Sequence, residues 1–306
     1  MSQIQTIAPV RHSRKRNQSY VMDVVVAFLI LSFCVLCVVP FIVAISASFS
    51  TERTLLSTGY GFLPRNFTTQ AYDMLFQTSQ IFDSYKVSIF VTVVGTTLSM
   101  VVTAMMAYPL SVKKLKYRGA ISFYAYFTML FSGGLVPTYM LISKYLGMRD
   151  NIWVMIIPVL INPWNLFLLR NFFSAIPAEL HESARMDGAN DVRILWQIIL
   201  PVSLPALATV SLFYAVAYWN QWFNAMLYIE NSRLFPLQYL IMKMLRNIEL
   251  MKQMSSQAGF AVDMSSLPST TTKMATAIVT IGPIVIAYPF AQKYFTAGLI
   301  VGSVKG

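Results

Sequence analysis

Long apolar runs alternate with short polar segments along most of the chain. Six runs lack Asp, Glu, Lys and Arg, and they extend approximately over residues 24–49, 87–112, 119–143, 152–169, 204–229 and 274–292. A helix needs about 20 apolar residues to cross roughly 30 Å of hydrocarbon, and in lipid its backbone polar groups must be paired internally. The pattern therefore predicts an all-α membrane protein with six transmembrane helices.

The composition also favours a membrane protein. The 306-residue chain is 56% hydrophobic and only 11% charged, whereas an ordinary soluble domain contains about 25% charged residues. The first apolar run follows a basic stretch, as in a signal peptide. It is longer than a signal-peptide core, however, and no convincing cleavage site follows it. We therefore expect a retained transmembrane helix there.

The distribution of positive charge predicts the orientation. The formal net charge is +11, but the basic residues form short clusters between apolar runs, which argues against nucleic-acid binding. One cluster lies within residues 1–20 and another within residues 113–118. Loops rich in Lys and Arg stay on the cytoplasmic side. Residues 1–20 are then a basic cytoplasmic tail, residues 21–306 are the membrane domain, and with six crossings both termini are cytoplasmic.

The predicted outer segment, residues 230–273, contains an amphipathic pattern. Its apolar residues fall on one helical face, and they are Leu237, Leu240, Ile241, Met244, Leu245 and Ile248. The pattern predicts a helix that lies on the outer membrane surface.

The predicted cytoplasmic segment, residues 170–203, carries end signals for two short helices. Pro177 suits the first helical position, and Gly188 suits the left-handed residue that ends a helix. Asn190 can cap a second helix, whose apolar residues recur at helical spacing until Pro201 prevents continuation. A loop resting on the lipid surface would explain the apolar face, but long structured loops are more often functional.

Within this segment the residues resemble the signature loop of ABC importer permeases. The matching positions are Glu182, Ser183, Ala184, Asp187, Gly188, Ala189, Ile198, Leu200, Pro201 and Pro205. Ser183 stands where the family pattern has alanine, which exchanges one small residue for another. The resemblance implies the type I importer permease fold, with a cytoplasmic coupling helix that fits a groove on the ATPase subunit.

Three further stretches, at residues 131–139, 218–223 and 292–306, are similar to the carbohydrate branch of that family. The first resembles permeases that import oligosaccharides released from complex polysaccharides. The resemblance implies a bacterial plasma-membrane complex with a second, different permease, two ATP-binding cassette ATPase subunits and an extracytoplasmic solute-binding protein. It also implies an oligosaccharide substrate and contact with membrane lipid.

Signatures of catalysis and metal binding are missing from the sequence. There is no Gly-x-x-x-x-Gly-Lys-Ser/Thr loop to hold ATP phosphates, so we expect ATP and Mg²⁺ to be used by the partner ATPase subunits. Cys34 and Cys37 lie within an apolar run, and His12 and His181 lie in separate polar segments. We therefore predict no catalytic residue, no metal site, no cofactor bound by this chain and no enzymatic activity.

Amide and indole side chains within the predicted spans are candidates for the substrate pathway. They are Asn162, Trp164, Asn165, Asn220, Gln221, Trp222 and Asn224, of which the last four are expected on one helix. Amides donate to and accept from sugar hydroxyls, and indole rings stack on apolar sugar faces. The alternative is that these residues bond helices to one another. The resemblance further implies that the partner permease can hold much of the substrate.

Two other functions fit parts of the pattern. An ion-coupled secondary transporter normally places ionisable groups within the membrane, whereas the six predicted spans contain no Asp, Glu, Lys or Arg. A membrane scaffold protein would use the capped helices as a docking surface without transport. Only the resemblance to the carbohydrate branch argues against the scaffold.

Overall fold

Helices dominate the structure. A computed structural model describes residues 15–77, 79–257 and 270–303. Within these ranges there is no β-strand, and the one extended pairing is an isolated bridge between Ser50 and Phe67. The all-α prediction is thus confirmed for the described residues. The α-helices, in chain order, are α1 (Lys15–Ser48), α2 (Glu52–Thr58), α3 (Gln70–Phe76), α4 (Gln80–Ser111), α5 (Arg118–Leu130), α6 (Leu135–Met140), α7 (Pro163–Ser174), α8 (Ala178–Met186), α9 (Asp191–Ile194), α10 (Leu200–Val202), α11 (Leu204–Trp219), α12 (Phe223–Tyr228), α13 (Leu237–Gln257) and α14 (Thr270–Ser303).

Shorter helical turns extend or link several of these helices. Two are π-helical, at Leu141–Tyr145 and Leu195–Ile199, and three are 3₁₀ turns, at Ile152–Met155, Ile157–Val159 and Ser232–Leu234. The described residues form two compact units. The first unit comprises the described residues within Met1–Tyr72 and Ser265–Ala275. The second comprises those within Asp73–Met264 and Thr276–Gly306.

In the first unit, aromatic and hydroxyl contacts fold the chain back after α1. The Phe49 ring stacks on Phe67 and on Tyr72, with centroid distances of 5.4 and 4.8 Å. Ser48 Oγ lies 2.8 Å from the Tyr72 hydroxyl. From Met22 to Ile45, in contrast, the side chains of α1 are exposed or half-exposed, as expected of a helix that lipid or another chain surrounds.

Glu52 caps the beginning of α14 in the same unit. Its carboxylate accepts the Thr270 amide at 2.9 and 3.0 Å, the Thr271 amide at 2.8 Å and the Thr271 hydroxyl at 2.9 Å. Burial raises the pKa of the Glu52 carboxyl, but the hydrogen bonds from Thr271 and Thr270 outweigh it, and the pKa lies below the ordinary 4.5. A negative charge is favourable here because the first amides of a helix have no partner within it.

In the second unit, α4 packs against α11 and α7. One close contact is at Gly95, where an added Cβ would lie 2.7 Å from Tyr218 Cε1. Two hydroxyl pairs join the same helices. Ser99 Oγ lies 2.9 Å from the Tyr218 hydroxyl, and Thr103 Oγ1 lies 2.7 Å from the Tyr214 hydroxyl. Small residues and interhelical hydroxyl bonds are typical of packed membrane helices.

Two stretches are single helices long and apolar enough to cross a membrane, Met22–Ser48 within α1 and the whole of α4. Three more stretches qualify only as bent pairs of helices. They are Arg118–Leu130 with Leu135–Tyr145 (110°), Ile152–Val159 with Pro163–Ser174 (51°) and Asp191–Val202 with Leu204–Trp219 (87°). Length and composition therefore allow up to five spans among the described residues, and the six-span count stays a prediction.

Three predicted spans are not the single helices that the sequence led us to expect. Residues 119–143 are interrupted between α5 and α6, where Gly134 has a φ of +88°. Residues 152–169 are interrupted before Pro163, and residues 204–229 between α11 and α12. Hydropathy measures how apolar a segment is and not whether its backbone stays regular, and a Gly or a Pro accompanies only the first two of these breaks.

The amphipathic segment forms a helix as predicted, α13, and the start of its apolar face is buried. Leu237, Leu240 and Ile241, at the start of the apolar face of α13, are 0%, 5% and 6% exposed. The Leu237 amide donates to Ser88 Oγ on α4 at 2.8 Å. This end of the face packs on protein, and the position of the helix on the outer membrane surface stays a prediction.

Helical structure extends into both predicted chain ends. α1 begins at Lys15, so residues 15–20 of the predicted tail are helical, whereas residues 1–14 lie outside the described residues. α14 continues to Ser303, beyond the predicted end of the last span at residue 292. Residues 304–306, the end of the predicted cytoplasmic tail, again lie outside the described residues.

Candidate functional site

The first candidate site is the loop between α7 and α11, residues 170–203, which we call the candidate coupling loop. Its helix α8 ends as predicted, because Gly188 has a φ of +78°. The Gly188 amide donates to the Arg185 carbonyl and the Ala189 amide to the Ala184 carbonyl, both at 3.0 Å. These two bonds form a Schellman motif, which satisfies carbonyls that the helix leaves unpaired. Pro177 precedes the first helical residue instead of occupying it.

The second helix begins as predicted and ends later than predicted. Asn190 Oδ1 accepts the Arg193 amide at 2.8 Å, which caps α9. The helical path then continues through the π-helical turn Leu195–Ile199 into α10, which contains Pro201 and ends at Val202. Pro201 therefore does not stop the helix. A π-helical turn is wider than an α-helical turn, so it leaves room for the proline ring. It also avoids the α-helical hydrogen bond that proline, which has no N–H, cannot donate.

An ion pair joins the two helices of the loop, and Tyr108 attaches them to α4. Arg185 Nη2 lies 2.8 Å from Asp191 Oδ1, which joins α8 to α9. The buried Tyr108, near the end of α4, stacks on His181 with a centroid distance of 5.9 Å and an interplanar angle of 6°. The Tyr108 hydroxyl also donates to Asp191 Oδ1 over 3.5 Å. Tyr108 thus touches both helices of the candidate coupling loop.

Two cavities border the residues of this contact. One has a volume of about 370 Å³ and is lined by residues that include Tyr108, Asp191 and Trp196. The other has about 280 Å³ and is lined by residues that include His181 and Glu182. One member of the Tyr108–His181 stack thus lines each cavity.

The residues of this loop that match the signature of ABC importer permeases lie mostly on its surface. Glu182, Ser183, Asp187, Gly188 and Pro201 are exposed, Ala189 and Leu200 are partly exposed, and Ala184 is buried. Two apolar side chains of α8 are exposed as well, Met186 at 88% and Leu180 at 41%. A short helix that presents such side chains to solvent has the character of a docking surface.

The second candidate site is a cavity between α7 and α11, which we call the polar cavity. Its volume is about 350 Å³, within the range typical of ligand pockets. It is lined by Val159, Asn162, Trp164, Asn165, Phe213, Tyr214, Ala217, Tyr218 and Gln221. Four of the seven predicted pathway residues, Asn162, Trp164, Asn165 and Gln221, are therefore brought together.

The other three predicted pathway residues do not line this cavity, and the expectation that one helix carries residues 220–224 is wrong. Asn220 follows the end of α11, where its Nδ2 donates to the Val216 carbonyl at 2.9 Å and its Oδ1 accepts from Gln238 at 3.2 Å. Trp222 precedes α12 and packs edge-on against Phe223. Asn224 lies within α12.

Sequence reasoning missed Tyr108, Tyr214 and Tyr218. The two tyrosines of α11 are four residues apart, as are Ser99 and Thr103 on α4, so a matching i, i+4 pair of hydroxyls on two apolar segments was the available signal. No comparable pattern marked Tyr108. Among the described residues no group of three or more His, Cys, Asp or Glu side chains could hold a metal ion.

Comparisons with known proteins agree with one another. The family profile described as "Binding-protein-dependent transport system inner membrane component" matches residues 13–301. The chain is 44% identical over 290 residues to the polygalacturonan/rhamnogalacturonan transport system permease protein YtcP of Bacillus subtilis, covering 93% of this chain and 98% of that one. It is 25% identical over 299 residues to the arabinooligosaccharides transport system permease protein AraQ of Halalkalibacterium halodurans, covering 95% and 100%.

A solved structure has a similar fold. It is a chain of a bacterial ABC transporter involved in the import of the acidic polysaccharide alginate. The TM-score is 0.78 and the sequence identity 32%, over 94% of this chain and 100% of that chain.

Proposed function

Because the chain belongs to the family of binding-protein-dependent transport system inner membrane components, we propose that it is a permease subunit of a bacterial ATP-driven importer for oligosaccharides. The names of its relatives and the alginate-importing structural neighbour support this function. The substrate we propose is an oligosaccharide released from a complex polysaccharide. The chain forms the pathway together with a second, different permease.

In this proposal the type I importer permease domain occupies residues 21–306 and crosses the bacterial plasma membrane six times. Both termini and the candidate coupling loop face the cytoplasm. The basic residues at 113–118 and at the N-terminus support this orientation. The exposed apolar surface of α1 supports insertion into lipid.

The observation that carries the proposal is the docking surface of α8. Its end is fixed by the Schellman motif at Gly188, its tip exposes Met186, and Tyr108 ties it to α4. A helix whose C-terminal end is capped and whose middle is attached to α4 can transmit displacement as a rigid body. We propose that an ATPase subunit receives it through Glu182, Ser183, Ala184, Asp187, Gly188, Ala189, Leu200 and Pro201.

ATP and Mg²⁺ are, in this proposal, used by two partner ATPase subunits. An extracytoplasmic solute-binding protein delivers the sugar. The candidate pathway residues of this chain are those named from the sequence, and four of them support a pathway role by lining the polar cavity.

Replacement of Gly188 tests the coupling role. A β-branched residue at φ +78° is strained by about 1 kcal/mol or more, although the surrounding space is open. In reconstituted complexes we expect Gly188→Val to lower sugar uptake at least tenfold while subunit stoichiometry and abundance stay within twofold. Uptake and substrate-stimulated ATP hydrolysis are measured in parallel.

Two control variants separate backbone strain at this position from other effects. Gly188→Asn adds a side chain to the same open space but tolerates a positive φ, so it should keep most of the uptake. Gly59→Val imposes similar strain elsewhere, since Gly59 has a φ of +74° and open surroundings, and it should not uncouple transport. Unchanged uptake by the Gly188→Val complex would show that this loop is not the coupling element.

A further inference from the structure

The polar cavity is lined entirely by uncharged residues. Its nine lining residues include two asparagines, one glutamine, two tyrosines and one tryptophan, and none of the nine is Asp, Glu, Lys, Arg or His. An anionic group without a cationic partner is poorly stabilised in such a space, because it loses hydration and gains no opposite charge. The lining therefore suits neutral, hydroxyl-bearing groups.

Several polar groups around the cavity are already engaged. The Tyr214 hydroxyl bonds to Thr103 at 2.7 Å and accepts the Asn162 amide at 3.1 Å. The Tyr218 hydroxyl bonds to Ser99 at 2.9 Å and donates to the Ile156 carbonyl at 3.3 Å. Both tyrosines thus present mainly their rings to the cavity.

The Asn162 side chain is engaged as well. Its Oδ1 caps α7 by accepting the amides of Trp164 and Asn165, at 2.9 and 3.2 Å. These bonds hold the start of α7 in place and leave this oxygen little capacity for a ligand.

Two features of the cavity remain available to a ligand. Gln221 Oε1 is buried and has no hydrogen-bond partner. A buried acceptor of this kind requires a donor, which a sugar hydroxyl supplies and an ionised carboxylate does not. Trp164 is 65% exposed, so its indole face is free for stacking on the apolar face of a sugar ring.

We infer that the polar cavity is a subsite for an uncharged face of a sugar ring, with Gln221 Oε1 accepting a hydroxyl and Trp164 stacking on the ring. The inference rests on the proposed function. It specifies which part of the oligosaccharide, an uncharged face of a sugar ring, binds in this cavity. If the transported oligosaccharide carries carboxylates, those groups are held elsewhere in the complex.

A protection assay tests this subsite. In the assembled transporter, Cys34 and Cys37 are replaced by serine and a cysteine is introduced at Ala217, an exposed lining residue. The rate of its alkylation by N-ethylmaleimide is measured with two probes of equal length, trigalacturonate and its fully methyl-esterified form, which lacks the negative charges. A cysteine at Ser232, which does not line the cavity, is the control position.

We expect the methyl-esterified probe to slow alkylation at position 217 at least as strongly as trigalacturonate does, because the lining is uncharged, and we expect neither probe to affect position 232. Gln221→Leu should raise the half-protecting concentration of both probes about fivefold to tenfold, because one hydrogen bond to sugar is lost. Gln77→Leu, which removes an exposed amide that does not line the cavity, should leave that concentration unchanged.

The remaining outcomes separate the two proposals. Protection by the charged probe alone, no protection in a complex that imports the sugar, or equal protection in Gln221→Leu would overturn the subsite and leave the importer standing. Protection without import would support the subsite and contradict the proposed transport. Absence of both protection and import would contradict both.

Discussion

At the scale of single residues, Gly95 sets how closely α4 and α11 approach. The Tyr218 ring that faces it is 3% exposed and is held at its hydroxyl by Ser99 and by the Ile156 carbonyl. The ring therefore cannot move away from an added methyl group without losing those bonds. Because the contact lies in a packed core, even one extra carbon is felt.

We expect Gly95→Ala to lower stability by about 1–3 kcal/mol, the usual cost of overpacking a core. The measurement is the melting temperature of the purified complex in detergent. Gly119→Ala is the matched control, since no atom lies within 4 Å of an added Cβ there and alanine favours a helix. Equal melting temperatures for Gly95→Ala and the original protein would show that the helices separate at low cost.

Features that depend on a few neighbouring residues were predictable. The positive φ of Gly188 and the Asn190 cap follow from local backbone chemistry, and the structure confirms both. Tyr108 was not predictable, because its partner Asp191 lies 83 residues further along the chain. A contact at such separation depends on how α4 and the loop meet, which neither pattern nor propensity specifies.

At the scale of elements, substitutions of Tyr108 test whether its contact between α4 and the candidate coupling loop contributes to coupling or only to stability. We expect Tyr108→Leu, which removes the stack on His181 and the bond to Asp191, to lower the sugar transported per ATP hydrolysed at least fivefold. Tyr108→Phe keeps the stack and loses only a long hydrogen bond of 3.5 Å, so its transport ratio should stay within twofold of the original.

Tyr124→Leu is the control for this prediction, because Tyr124 is 71% exposed on α5. It should leave the ratio unchanged. Uptake and ATP hydrolysis are measured on the same vesicles, together with subunit stoichiometry. If Tyr108→Leu merely reduced the amount of assembled complex while its transport ratio held, the contact would be structural and not part of coupling.

The breaks within the predicted spans also belong to the scale of elements. The apolar runs were visible in the sequence, but an interrupted and an uninterrupted helix have the same hydropathy. The Ser132-Gly133-Gly134 stretch and Pro163 were the local signals, and they mark two of the three breaks. The break at residues 220–222 has no Gly or Pro, so nothing in its composition indicated that α11 ends there.

At the scale of the whole molecule, Glu52 links segments that are 218 residues apart. Its pKa is lowered in the folded protein, so ionised Glu52 stabilises the fold fully above the unfolded pKa, near 4.5, and this contribution is lost as the pH falls through the folded value. We expect Glu52→Gln to reduce stability by about 2 kcal/mol at pH 7, since a charged hydrogen-bond acceptor becomes neutral.

The difference between the melting curves of the original and Glu52→Gln proteins should be constant above about pH 5 and shrink below the ordinary pKa of 4.5. Glu179→Gln is a suitable control, because Glu179 is exposed and such substitutions usually change stability by less than about 0.5 kcal/mol. A difference of the same size at every pH would mean that the shape of the side chain matters and its charge does not.

The helical path bends sharply at Ser203, so that the segment before it can act as a lever on α11. The arm Asp191–Val202 meets α11 at 87°, and its 12 residues make it about 18 Å long. Ser203 is buried, its amide donates to the Ile199 carbonyl at 3.0 Å and its carbonyl accepts the Leu207 amide at 2.9 Å, so the joint is bonded on both sides. A rotation of roughly 10° would then carry the far end, beside Gly188, through about 3 Å and tilt α11 with its cavity tyrosines. The displacement of the far end is proportional to the length of this arm, so one added helical turn would increase it by about 30%.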